Sequence, residues 1–145
     1  MKKAIISLVT MMLIGIFSFP VVARASSEDE VLAQINAYRS SEGLCELSMN
    51  TDLCTVASVR AAECSERFSH TRPNGQAWFT VSDLTKGENL AHAENDTQQK
   101  PENVVLAWML SPKHNANVLR PTYSSAGIAY YEGENGEIYI ACEFK

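Results

Sequence analysis

The feature that most restricts the fold of this chain is a change in the period of its apolar residues. From Glu28 to Ser41, Val31, Leu32, Ile35 and Tyr38 recur at the spacing of one helical face, with Glu28, Asp29 and Glu30 in the first turn and Gly43 just past the end. That pattern predicts an amphipathic helix. A second helix is predicted from about Asn50 to Phe68, where Leu53, Val56, Ala57, Ala61 and Cys64 form a stripe, and a third is centred on Val104, Val105 and Trp108. Near the C-terminus the period falls to two. Ile128 and Tyr130, then Ile138, Ile140, Cys142 and Phe144, alternate with other residues on either side of Gly133-Glu134-Asn135-Gly136, which predicts a β-hairpin. Helices closed by a hairpin imply an α+β domain, an antiparallel sheet covered by helices. Trp108, an aromatic at helical spacing, is expected in the core.

The N-terminus has a different character. Lys2 and Lys3 precede an apolar run from Ala4 to Phe19, Pro20 breaks it, and Ala23-Arg24-Ala25 supplies small residues at alternate positions. Residues 1–25 thus read as a secretory signal peptide of bacterial type, cleaved after Ala25. The run is shorter than the roughly 20 residues that span a bilayer, so the expected product is secreted and extracellular, not an integral membrane protein. Residues 26–145 are enough for one core-bearing domain. The signal carries three of the 12 basic residues and none of the 17 acidic ones, leaving a net charge of 9 − 17 = −8. With no Lys/Arg cluster, that balance argues against a nucleic-acid partner.

All four cysteines, Cys45, Cys54, Cys64 and Cys142, follow the signal, so two disulfides are expected in an oxidising compartment. Cys54 and Cys64 share one predicted helix, whose rise separates them by about 15 Å, beyond disulfide reach. Two connectivities remain. The preferred one joins Cys45 to Cys54 and Cys64 to Cys142.

Four segments in order carry a family resemblance: Ile35-Asn36-x-Tyr38-Arg39; Arg60-Ala61-x-Glu63 leading to Phe68-Ser69-His70-Thr71-Arg72-Pro73-Asn74-Gly75; Gly87-Glu88-Asn89-Leu90-Ala91; and Trp108-x-x-Ser111-Pro112-x-His114-x-x-Asn117. Together they resemble the CAP domain of cysteine-rich secretory proteins, antigen 5 and plant pathogenesis-related proteins type 1, in its short bacterial form. The resemblance implies a three-layer α-β-α sandwich with a cleft into which two histidines and one or two glutamates point. Here those positions are His70, Glu88 and His114. Longer members carry a second glutamate soon after the tryptophan, whereas Met109, Leu110 and Ser111 follow it here.

The residues support a cleft on their own terms. Ser111-Pro112 predicts a helix start that places His114 in the first turn, where the helix dipole favours a neutral imidazole. His70 precedes a Pro-Asn-Gly turn. Glu88 opens a segment read as a helical first turn, where a carboxylate is electrostatically favoured. His92, four residues on, is read as surface or cleft rim. Two imidazoles and one carboxylate can hold Zn²⁺ or another divalent cation with open coordination positions. Asn36 and Arg60 are expected to tie helices and loops together. The resulting reading is a monomeric secreted binding module for an extracellular protein, a lipid or a small ligand. The alternative is a zinc-assisted hydrolase in which Glu88 activates water between His70 and His114. No catalytic Ser or Cys nucleophile is identifiable.

Overall fold

The computed structural model describes residues 25–145, and its first element begins at a cap that the chain itself encodes. Ser26 Oγ accepts the Asp29 backbone N–H, and α1 runs Ser27–Ser41 with its acids at the positive end of the helix. Gly43 follows at φ +71°, a left-handed conformation that glycine adopts without strain. Asn50 caps α2 (Thr51–Glu66) through the Leu53 N–H. Helices α3 (Pro101–Leu110) and α4 (Pro112–Val118) each begin with proline, whose missing N–H costs nothing there. Ser111 stands between them but its side chain makes no capping bond, so the start of α4 rests on Pro112 rather than on the expected cap.

The predicted hairpin is present. Strands β3 (Ser125–Glu132) and β4 (Ile138–Phe144) pair antiparallel, and β4 also pairs antiparallel with β2 (Gly87–Ala93). The sheet is nevertheless mixed. Its order is β1-β3-β4-β2, and the two-residue β1 (Ser48–Met49) lies parallel to β3. A parallel pair requires a crossover, which here contains everything from α2 to α4.

Strand alternation sends side chains into two cores. On one face Ala57, Ala61 and Cys64 of α2 meet Leu90, Ala129, Tyr139 and Ala141. On the other, α1, α3 and α4 bring Val31, Ile35, Val105, Trp108 and Val118 onto Ile128, Ile140, Cys142 and Phe144. The result is the α-β-α sandwich implied by the motifs. The α2 backbone lies directly on Gly127, where a Cβ would fall 2.1 Å from the Leu53 carbonyl carbon. Trp108 is fully buried and its indole N–H donates to the Leu90 carbonyl at 2.9 Å, so it is a core residue as expected.

Buried arginine and asparagine side chains fasten the layers. Asn36 exchanges two bonds with the Leu47 backbone, tying α1 to the loop before β1. Arg39 is wholly buried and donates to the carbonyls of Cys45, Val118, Arg120 and Tyr123. The expected disulfides are not formed in the structure, where all four cysteines are free thiols. The preferred Cys64–Cys142 bond is opposed by the sheet itself, because Cys64 packs in the α2 core and Cys142 in the core on the other face. Burial raises the Cys64 thiol to about 11 and the Cys142 thiol well above its ordinary value. Residues 1–24 of the expected signal peptide lie outside the described residues. Among the described residues no helix is long and apolar enough to cross a membrane.

Candidate functional site

The site is built around Glu88, which sits in β2 opposite Glu143 of β4 and has a fully buried side chain. It is therefore a strand residue, not the helical first-turn residue expected, and its charge is met by side chains instead of a helix dipole. Arg60 Nε donates to one carboxylate oxygen at 2.6 Å, and Arg60 Nη2 reaches the other at 3.3 Å and the Ser69 carbonyl at 2.8 Å. Holding Ser69 places the next residue. His70 donates from Nδ1 to Glu88 Oε1 at 2.7 Å, while half of its side chain stays exposed. A carboxylate can only accept, so Nδ1 carries a proton, and the tautomer this selects has its lone pair on Nε2. Burial by itself would raise the Glu88 carboxyl, but hydrogen bonds from His70 and Arg60 and the Arg60 charge overcome it and hold the group below its ordinary value.

His114 comes from α4, which three side-chain bonds lock onto β2. Asn89 Nδ2 donates to the His114 carbonyl at 3.1 Å, and Asn117 Nδ2 donates to the Glu88 carbonyl at 3.1 Å and to Asn89 Oδ1 at 2.9 Å. The His70 and His114 rings then lie with centroids 6.4 Å apart, tilted 55° to one another. Burial, assisted by the nearby His70, lowers the His114 pKa and keeps the ring neutral at neutral pH. His114 stands in the first turn of α4 as expected, and burial is the larger cause of its lowered pKa. His92 lies elsewhere: it stacks on Tyr139 at 4.7 Å and bonds Glu137 through Nε2 at 2.7 Å.

The three expected residues line one open cleft of about 640 Å³, and Trp78 of a short 3₁₀ turn, Trp78–Val81, lines it as well. Among the described residues no group of three His, Cys, Asp or Glu side chains is arranged to hold a metal ion. Sequence reasoning missed Glu143. It is wholly buried, accepts the Thr85 hydroxyl, and is pushed up to about 9 by burial and by the Glu88 charge. It stands directly opposite Glu88 in the sheet, and its Oε1 is buried with no hydrogen-bond partner among the described residues. An acid between Cys142 and Phe144 in an otherwise apolar strand was the available signal. Glu63, present in the motif but given no role there, is gripped by both Arg72 and Arg60, bracing the segment that carries His70.

The CAP (cysteine-rich secretory protein family) model matches residues 32–144 of the chain. The uncharacterized protein YkwD of Bacillus subtilis is 33% identical over an alignment of 113 residues that covers 72% of this chain and 42% of that protein. Among solved structures, an extracellular protein containing a SCP domain from Bacillus anthracis superposes with a TM-score of 0.67 at 19% identity, covering 82% of this chain and 40% of that one. The protein NaASP2, solved with Zn²⁺, superposes with a TM-score of 0.63 at 15% identity, covering 88% of this chain and 83% of its own. The chain thus spans less than half the length of either Bacillus protein. With the motif residues brought together as described and the model matched from α1 to the last strand, the chain belongs to the CAP, or cysteine-rich secretory protein, family.

Proposed function

We propose that the chain is a secreted binding domain that takes an extracellular partner or small ligand into the cleft, and that His70 Nε2 and His114 hold a divalent metal such as Zn²⁺ there. The observation that carries this reading is the pair of imidazoles lining one cleft with ring centroids 6.4 Å apart, one oriented by a buried carboxylate and the other kept neutral by burial. The donor set fits a two-imidazole site. Both Glu88 oxygens are engaged by Arg60 and His70, so Glu88 holds the tautomer and orientation of His70 instead of adding a third ligand. When bound, the ion supplies a Lewis-acidic centre with positions open to ligand and water. A neighbour solved with Zn²⁺ agrees with this reading. Secretion rests on the signal-like residues 1–25, and cleavage should leave Ser26 as the first residue of a monomer, which intact mass would show.

Binding is favoured over hydrolysis because the carboxylate that would serve as base is already occupied. Glu88 is ion-paired, depressed in pKa and buried, which suits an orienting group better than a proton acceptor. Calorimetric titration with Zn²⁺ at pH 7.5 tests the site. At least a tenfold weakening is expected in both His70→Ala and His114→Ala; wild-type binding in both would end the shared-site reading. Metal-dependent cleavage of peptide or ester libraries would overturn the binding reading in favour of the hydrolase.

A further inference from the structure

The charges around the cleft run opposite to those of the whole chain. Residues 26–145 hold 17 acids against 9 basic residues, yet Glu88 is the single acid that lines the cleft, and Arg60 neutralises it. Lys86, Lys113 and Arg120 also line it. Elsewhere Arg60 and Arg72 are paired with carboxylates, but among the described residues none of these three has a carboxylate within 4.0 Å. One third of the basic residues of an acidic domain therefore converge on one concavity without a carboxylate partner, the Lys86 ammonium donating only to the Asp83 carbonyl at 2.8 Å.

These cations stand on fixed backbone. The Lys86 N–H donates to the Phe144 carbonyl at 2.7 Å and the Lys86 carbonyl accepts the Tyr123 hydroxyl at 2.8 Å. The Arg120 carbonyl accepts from the buried Arg39 at 3.0 Å, and the Arg120 guanidinium lies over the Tyr123 ring at 5.4 Å. Lys113 rides on α4, which the asparagine bonds fasten to β2. Gly87 lets Tyr123 close in, since a Cβ there would meet the Tyr123 hydroxyl at 2.3 Å. Trp78 and Tyr123 give the same cleft two aromatic walls.

We infer that the cleft binds a small organic oxyanion, its phosphate or carboxylate groups held by Lys86, Lys113 and Arg120 and its uncharged body set against Trp78 and Tyr123. Charge in a concave site concentrates the field, and lysine and arginine recognise both kinds of oxyanion. The net charge of −8 repels a long polyanion, which selects a compact ligand. This names the ligand class of the cleft proposed above and rests on that reading, but not on the metal.

Titration of the purified protein, freed of metal on a chelating resin and kept free of soluble chelator, with tripolyphosphate and, separately, citrate tests it, read by calorimetry and by the fluorescence of Trp78, the cleft-lining member of the two tryptophans. Saturable binding of either is expected, weakening at least tenfold in Lys86→Gln/Lys113→Gln/Arg120→Gln and less than twofold in Arg67→Gln/Lys100→Gln, whose exposed cations lie outside the cleft. Which probe binds better assigns phosphate or carboxylate. Absence of binding by both probes, or equal weakening in the two variants at unchanged thermal stability, overturns the inference. His70→Ala/His114→Ala separates the two readings: it should lose Zn²⁺ and keep the oxyanion. Zn²⁺ binding without oxyanion binding would leave the metal site standing and remove this one.

Discussion

Arg60 is fully buried, and its charge is answered by three acceptors, Glu88, Glu63 and the Ser69 carbonyl. Replacing it leaves Glu88 buried with an uncompensated charge, so Arg60→Met should cost about 3–5 kcal/mol, the usual consequence of breaking a buried pair from one side. Urea unfolding measures this; a loss under about 1 kcal/mol would show that Glu88 is stabilised by other means. The neighbouring Glu143 makes an opposite prediction. Its folded-state value of about 9 exceeds the ordinary 4.5, so the unfolded chain releases a proton that the native state keeps. Stability should fall as pH rises between those values. Glu143→Gln should flatten that decline in urea titrations at pH 5, 7 and 9; an unchanged slope would place the proton elsewhere. Glu88 acts in another window, since a depressed carboxyl loses its stabilising contribution only as pH falls through its folded value.

Elements position what residues perform. Helix α4 is only seven residues long and is too short to be stable alone, so its place depends on Asn89 and Asn117. Asn117→Ala removes two hydrogen bonds and should cost about 1–2 kcal/mol. It should also weaken Zn²⁺ binding, because His114 would no longer be held against β2. Retained affinity with reduced stability would mean that α3 alone positions the ring. The contact of α2 with β3 is less forgiving. At Gly127 the obstructing atoms are the Leu53 and Cys54 backbone, which cannot swing away as a side chain can. Gly127→Ala should therefore exceed the roughly 1–3 kcal/mol of ordinary overpacking, and a thermal midpoint within a degree of wild type would refute that packing.

At the scale of the molecule, the sheet divides the domain into two cores and separates the buried thiols. Cys45 is exposed, Cys54 half-buried, and Cys64 and Cys142 buried. Timed alkylation of the native protein should therefore label Cys45 first and leave Cys142 unmodified until unfolding, since burial suppresses its thiolate. A native protein with no alkylatable cysteine would instead reveal two disulfides and a rearranged core.

Much of this organisation was legible without coordinates, and for local reasons. Gly43 and Gly136 mark turns through a conformation that only glycine takes freely, and the period of the apolar residues separates helix from strand. The spacing of His70, Glu88 and His114 was also legible, through resemblance. What the chain could not disclose was pairing over long separations: that β1 runs parallel to β3, that Glu88 is a strand residue claimed by Arg60, that a buried Glu143 stands opposite it, and that Cys142 faces away from Cys64. Each depends on sheet register, where a shift of one residue exchanges the two faces. Local propensity sets which segments become strands, but register and the environment of a buried charge are decided only when distant segments pack and exclude water.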